Sequence, residues 1–400
     1  MHRCLHLARN EGCMNQTMYE EAKKLEEKLV IWRRALHQIP ETGLKLPKTV
    51  AYICAELDGM GISYTKYENI SCVSVTLGQG APCILLRGDI DGLPMQEQSG
   101  VEFASENGCM HGCGHDLHAA SMLGVTALLK MHEADLNGTV KILFQSAEET
   151  FEGAAAAIKA GIMENPKVEA AFAMHAFAEP DPGVLLYGMR PMASVFGFKI
   201  TLTGKGGHGS QPERCIDPIN AGVQVYLALQ ALIARDCPPT EEAALTIGQF
   251  QAGAAANAIP NEAVLQGTLR SFDPKIRILL MQRIQEIVPA VALAYRCQCR
   301  IETLSDVPGV SCDEAFLNRA LESARKSGAV VSEEAGLHLI GSEDFAFYSE
   351  LVPSCYFVMG AGIESREDRR GQHNPQIRFD EGAMVRDVAV YTQVALDYLK

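Results

Sequence analysis

Apolar residues recur along this chain in two rhythms, and the points where the rhythm changes divide it into elements. Between 19 and 38, Ala22, Leu25, Leu29, Trp32, Ala35 and Leu36 fall on one helical face, and Pro40 ends the run. A second helix is expected at 49–60, stopped by Gly59 and Gly61. β-like runs follow at 73–77 and 83–87, the latter almost wholly apolar, as expected of a strand covered on both faces. Residues 119–132 read as an apolar helix, 139–146 as a strand, 154–161 as a helix and 170–176 as another apolar run. His37, near the end of the first helix, needs no role beyond that of a helix-end residue.

From about residue 185 the pattern changes. Residues 193–203 alternate like a strand, and Asp217-Pro218 opens a helix to 235. Strands at 244–251 and 263–270, a helix at 275–294 and a strand at 296–303 complete a β-α-β-β-α-β order. A helix at 313–328, a strand at 354–360 and a helix at 381–399 return to the first pattern. The expected fold class is α/β. A larger domain, 18–186 and 304–400, has a mixed sheet flanked by helices, and a ferredoxin-like α+β unit, 187–303, is inserted into it. Residues 1–17 lack periodicity and read as a loose tail.

The chemistry gathers where the apolar runs stop. Nine residues, Met110-His111-Gly112-Cys113-Gly114-His115-Asp116-Leu117-His118, hold one thiol, three imidazoles and a carboxylate. Cys113 and His115 form a close pair of ligands suited to zinc or a similar ion. Alone, the stretch also reads as a surface loop rich in histidine. Asp89 and Asp91 follow the 83–87 run, two apart and so facing the same way in extended chain. In an open α/β sheet, the C-terminal ends of strands are where sites form. The adjacent Glu148 and Glu149 follow 139–146, so one can bind metal while the other takes a proton. His175 ends 170–176, and His373 lies in a loop past 354–360. The segment Gly204-Lys205-Gly206-Gly207-His208-Gly209 matches a dinucleotide fingerprint literally. Pro212 follows at once, however, and no acidic residue stands on a second strand at the required distance. A loop presenting His208 is the better reading.

The candidate set, Asp89, Asp91, Cys113, His115, Glu148, Glu149, His175 and His373, is about what a pair of divalent ions needs. Such ions make hydroxide available at neutral pH, a carboxylate can move the proton, and an imidazole such as His208 can help hold an oxyanion. Nucleophilic serine chemistry lacks its elbow motif. Cys113 as a nucleophile is the main rival, weakened by neighbouring carboxylates that raise a thiol's pKa. A net charge of −14 argues against a nucleic-acid partner, and no apolar run reaches the ~18 residues of a membrane span. Thirteen cysteines without framework spacing, and no export signal at the N-terminus, point to reduced thiols and a cytoplasmic location.

Taken together, these motifs resemble the M20 metallopeptidases, in particular the branch of hippurate hydrolases, N-acyl-amino-acid amidohydrolases and indole-acetyl-amino-acid hydrolases. The resemblance runs from Trp32 to the C-terminus. It is carried by Gly-Asp-Ile-Asp-Gly-Leu-Pro, Met-His-Gly-Cys-Gly-His-Asp, Phe144-Gln145-Ser146-Ala147-Glu148-Glu149, Met174-His175, the glycine-rich His208 loop, Gly-Ser-Glu-Asp-Phe and His373-Asn374-Pro375. It implies that Cys113, His115, Glu149, His175 and His373 bind two divalent ions, zinc or manganese first, with cobalt or nickel as alternatives. It implies Glu148 as general base, Asp91 orienting its surroundings, and His208 and Asn257 holding substrate and oxyanion. Arg270 is implied for a substrate carboxylate, and the inserted unit for a lid that also forms a homodimer or higher oligomer. Gly112, Ser146 and Thr150-Phe151-Glu152 stand where the family often has Ala, Pro and Gly, which bears on acyl specificity. The implied activity is hydrolysis of the amide of an N-acyl or N-aroyl amino acid. A dipeptidase on the same scaffold is the alternative, and a non-catalytic metal or amino-acid binder the more distant one.

Overall fold

The computed structural model describes residues 17–332 and 336–400, so the expected tail lies, except for Thr17, outside the described residues. Six strands come first: β1 (Tyr64–Tyr67), β2 (Cys72–Gly78), β3 (Cys83–Asp89), β4 (Thr139–Gln145), β5 (Ala170–Phe177) and β6 (Val184–Tyr187). The smaller unit follows with β7 (Ser194–Thr203), β8 (Gly207–His208), β9 (Ala243–Ala252), β10 (Ala258–Ile259), β11 (Glu262–Ser271) and β12 (Gln298–Val307). β13 (Val330–Val331) and β14 (Ser354–Gly360) return to the larger unit.

The larger sheet is mixed, in the order β1-β2-β4-β3-β5-β14-β6-β13. Its centre, β4-β3-β5-β14, is parallel. β3 and β4 are buried along their whole length, which explains their near-continuous apolar sequence. Helices Glu26–His37, His115–Met131, Ala383–Tyr398 and Glu314–Ser327 pack side by side next to this centre. The single helix expected at 19–38 is two pieces, Met18–Lys23 and Glu26–His37. The first packs on Ala383–Tyr398 and the second mainly on His115–Met131, so the chain turns at Lys24-Leu25 to serve two neighbours. The helix expected from 119 starts four residues earlier, at His115. Gly114 caps it at φ +87°, and a Cβ there would stand 3.1 Å from the Phe379 ring. The bend at Gly114 thus sets a ligand-rich loop directly on a helix N-terminus.

The smaller sheet has the order β12-β7-β11-β9, all antiparallel, which is the ferredoxin-like arrangement. It has its own core around Phe198, Ile200, Leu229 and Leu265. Its strands run from Ser194 to Val307, against expected limits of 187 and 303. Its two helices, Pro218–Asp236 and Pro274–Ala294, each start with an Asp cap and Pro at the first position. Asp217 accepts from Ile219 N–H at 2.8 Å and Asp273 from Lys275 N–H at 2.8 Å, caps typically contributing about 1 kcal/mol each. The glycine-rich loop opens no helix; Gly207 and His208 pair with Ile259 and Ala258 in a two-residue ladder. No described helix is both long and apolar enough to cross a membrane.

Candidate metal centre

The parallel strands end on one edge, and each end delivers part of the site. β3 ends in Asp89 and leads to Asp91, β4 leads to Glu148 and Glu149, and β5 carries His175. The helix at His115 faces them, and the loop after β14 brings His373, whose N–H donates to Gly112 O at 2.9 Å. Of the five groups of potential ligands among the described residues, two share Cys113: Cys113 with His115 and His175, and Cys113 with Glu149 and His373. Within each, the ligand atoms lie within 4.8 Å of one another. The shared thiol makes these two adjoining sites. Cys113 Sγ is 3.4 Å from His175 Nε2, and His373 Nε2 is 3.3 Å from Glu149 Oε2.

The donor set fits divalent ions on several counts. His115 Nδ1 lies 3.0 Å from Asp91 O and His175 Nδ1 lies 2.9 Å from Ala176 O. Carbonyls only accept, so each Nδ1 carries a proton and Nε2 is the nitrogen left for a ligand role, which on His115 requires loss of its second proton to an incoming cation. His115 Nε2 and Glu149 Oε1 are buried with no hydrogen-bond partner. An unpaired buried polar atom costs roughly 1–3 kcal/mol, and a cation in either group relieves it. Burial, then the neighbouring His118, holds the His175 pKa well below the usual imidazole range, which favours the neutral ligand form. Burial and the Glu149 charge raise the Cys113 thiol, a shift that a bound cation reverses. Burial opposes charge on His115, but Asp89, Asp91 and Cys113 outweigh it and raise its pKa. The His373 pKa rises to about 10 through its bonds to Cys113 and Glu149. Cation-free, both imidazoles thus balance the acidic groups that ions would otherwise neutralise.

Asp91 binds the backbone of the glutamate pair, accepting from Glu148 N–H and Glu149 N–H at 3.1 Å each. Between them and β4, Ala147 is held at φ +58°, rare for a residue with a side chain. Glu148 is buried, and its carboxylate lies within 4.8 Å both of His115 and Glu149 and of Glu343 and Asp344. Burial, then the Glu343 and Asp344 charges, raises its pKa well above the carboxylate range, as a proton acceptor working near neutrality requires.

Behind these groups lies a charge network that takes up the candidate ligand Asp89 together with residues to which the sequence reading assigned no role. Arg87, 1% exposed, donates to Asp89, to Glu343 at 2.9 Å and to Asp344 at 2.7 Å. Asp344 also accepts from Gln145 Nε2 and from Ala154 N–H. Asp89 is thereby occupied by Arg87 and by His118 Nδ1. His118 Nε2 in turn accepts Ala176 N–H at 2.8 Å, beside His175. The sequence held two signals for this network: a lone charge in the apolar run of β3, and a histidine three residues after His115 on the same helix face. His37 is more than a helix end. It bridges Asp116 at 2.8 Å and Glu97 at 3.0 Å, and although burial opposes charge, Asp116 and Glu97 raise its pKa to about 9.

The remaining candidates belong to the smaller unit. His208 is exposed, with Nδ1 2.7 Å from Ser210 Oγ, and Asn257 O accepts Gly209 N–H at 2.8 Å, so the fold brings these two residues together. Among the described residues, none of their polar contacts reaches the Cys113 groups. Arg270 is half-buried where the two units meet, donating to Ile340 O at 2.8 Å and Ser342 Oγ at 3.1 Å, next to Glu343.

Residues 85–397 match the model of peptidase family M20/M25/M40. An N-acetylcysteine deacetylase of Bacillus subtilis (strain 168) is 34% identical over 388 residues, covering 94% of this chain and 98% of that protein. IAA-amino acid hydrolase ILR1-like 4 of Arabidopsis thaliana is also 34% identical, over 92% of this chain and 84% of its own. Among solved structures, the Bacillus subtilis YxeP protein, described as a dinuclear metal binding peptidase from the M20 family, superposes with TM-score 0.81. It is 32% identical, over 94% of this chain and 99% of that one. A putative aminohydrolase from methicillin-resistant Staphylococcus aureus reaches TM-score 0.90 at 29% identity, over 97% and 100%.

Proposed function

The chain belongs to peptidase family M20/M25/M40, and from that premise we propose that it is a metal-dependent amidohydrolase that cleaves N-acyl or N-aroyl amino acids. The observation that carries this reading is a pair of buried ligand groups sharing Cys113, with Glu148 beside them. Cys113, His115 and His175 would hold one divalent ion, and Cys113, Glu149 and His373 the other. Such ions, when bound, lower the pKa of water and polarise the amide carbonyl.

Glu148 takes the proton from the attacking water and delivers it to the leaving nitrogen, help worth roughly 10²–10⁴ in rate. Asp91 keeps Glu148 and Glu149 in register through their two N–H groups. His208 and Asn257, the one in the β8–β10 ladder and the other just before it, supply donors to the oxyanion and substrate. Arg270 keeps guanidinium donors available for a substrate carboxylate beside the loop it contacts. The named relatives act on an N-acetylated amino acid and on amino-acid conjugates, which supports a substrate with an acyl group on one side of the amide and a carboxylate on the other.

The smaller unit serves as lid and homodimer surface in this reading. Helix Pro218–Asp236 exposes Val223, Tyr226 and Leu227, and the edge strand β9 exposes Phe250, an apolar face suited to a second copy. A ligand thiol requires reducing surroundings, which supports a cytoplasmic location. The test is one panel of hippurate, N-acetyl amino acids and dipeptides, assayed with zinc, manganese, cobalt or nickel and after chelation. Turnover of the first two, lost on chelation, is expected. Dipeptides as the sole substrates would assign a dipeptidase, and no turnover with any metal would leave a binder.

A further inference from the structure

His373 is the least supported member of the ligand set. It sits at φ +65°, a left-handed conformation uncommon for residues other than glycine, and its side chain is half exposed. His115, by contrast, stands on a helix and is bonded to Asp91, and His175 lies in the sheet centre on β5. Backbone bonds hold the His373 turn, among them His373 N–H to Gly112 O at 2.9 Å, and the side chain of the residue before it adds three more. Gln372 Nε2 donates to Cys113 O at 3.1 Å and to Ala176 O at 3.0 Å, and its Oε1 accepts Ala178 N–H at 3.3 Å. One carboxamide thus ties together the segments that carry Cys113, His175 and His373. Among the described residues no other side chain bonds all three. Ala176 O also receives His175 Nδ1–H, a bond that sets the His175 tautomer whether or not Gln372 is present.

We infer that Gln372 is a positioning residue for the two-cation centre. Its carboxamide sets the spacing between His373 and the Cys113–His175 pair, and so governs affinity for the ion that His373 shares with Cys113 and Glu149. This rests on the two-ion reading above. The chemistry is particular to an amide: two donors meet two carbonyls while one acceptor meets an N–H. Methionine keeps the length and loses all three bonds. Glutamate keeps the acceptor but sets a carboxylate against two carbonyl oxygens.

The test titrates cation-free full-length protein with cobalt(II) alone. Bound metal is followed by equilibrium dialysis, and the thiolate-to-cobalt absorption of Cys113 by spectroscopy. The wild-type chain takes two equivalents. Gln372→Met holds the first equivalent within about threefold of wild type and weakens the second roughly 10- to 100-fold, the usual scale for losing a partner that orients a ligand. Gln372→Glu is at least as weak for the second, and it decides the matter if the methionine variant does not fold. Wild-type affinity for both equivalents in a folded variant overturns the inference. Equal weakening of both equivalents overturns it too, since that marks general loosening. A wild-type chain that binds one equivalent overturns this inference together with the two-ion reading; two equivalents bound equally tightly by wild type and by Gln372→Met overturn the clasp alone.

Discussion

Replacing Glu148 with glutamine separates catalysis from stability at the centre of the site. The substitution keeps volume and hydrogen-bonding length but removes the ability to accept a proton. Glu148 is buried, and its N–H is fixed to Asp91 at 3.1 Å, so the amide occupies the same place. General-base help of roughly 10²–10⁴ in rate corresponds to about 2.8–5.6 kcal/mol of barrier, at about 1.4 kcal/mol per decade. That loss falls on kcat. Stability moves the other way: Glu148 faces Glu343 and Asp344, and burial plus those two charges disfavour its ionised form. A neutral amide removes that repulsion, so the Glu148→Gln variant unfolds at a urea concentration equal to or above wild type at pH 8. The assay is kcat on the best substrate of the panel with metal content on the same preparation, and the urea midpoint is measured after chelation, the state to which these charges belong. A variant with full metal content and kcat within threefold of wild type would refute the base assignment; a variant that unfolds earlier would refute the electrostatic account.

Arg87→Met removes the cation that three buried carboxylates share. Breaking such a set by deleting one partner typically costs about 3–5 kcal/mol, read as a lowered urea midpoint at pH 8; an unchanged midpoint would show that the carboxylates do not depend on the guanidinium. Asp387, buried between helices with a 3.4 Å bond from Ser121, has its pKa raised by burial to about 8. Its folded pKa exceeds the unfolded one near 4, so the folded state holds an extra proton between them and stability falls as pH rises through that window. Asp387→Asn therefore flattens the stability profile from pH 4 to 8 and is more stable than wild type at pH 9; a slope as steep as wild type would contradict this. Arg270→Met lowers kcat/KM for a substrate with a free carboxylate by roughly 10- to 150-fold, the range of a lost charge-assisted bond. It leaves the carboxamide analogue of that substrate nearly unchanged, and equal losses on both would remove Arg270 from carboxylate binding.

Much of this architecture was readable because single side-chain patterns encode it. The buried strands β3 and β4 announce themselves as apolar runs, and Asp217-Pro218 marks a helix start whose cap the structure contains. Cys113 with His115 is a local signal, and Glu148-Glu149 gains meaning from the strand before it. Short pieces were not readable: β6, β8, β10 and β13 have two to four residues, too few for a period; β6 forms against β14, β13 against β6, and β8 and β10 against each other. The break at Lys24-Leu25 was hidden because both helical pieces keep the same apolar rhythm while packing on different partners. The Arg87 network and the Gln372 clasp are made of contacts between residues 2 to 259 positions apart, and no spacing rule points from Arg87 to Asp344 or from Gln372 to Cys113. Asn257 and Arg270 stood out through the resemblance, whereas the glycine-rich loop already marked His208, and the roles of all three depend on how the smaller unit meets the substrate.

The central claim is that two cations sit on either side of one thiol. A crystal of the protein grown with zinc, measured at the zinc absorption edge, tests it directly. Two anomalous peaks flanking Cys113 Sγ are expected, one within bonding reach of His115 and His175 and the other of Glu149 and His373. A lone peak, or density placed instead among Asp89, His115 and His118, would contradict it.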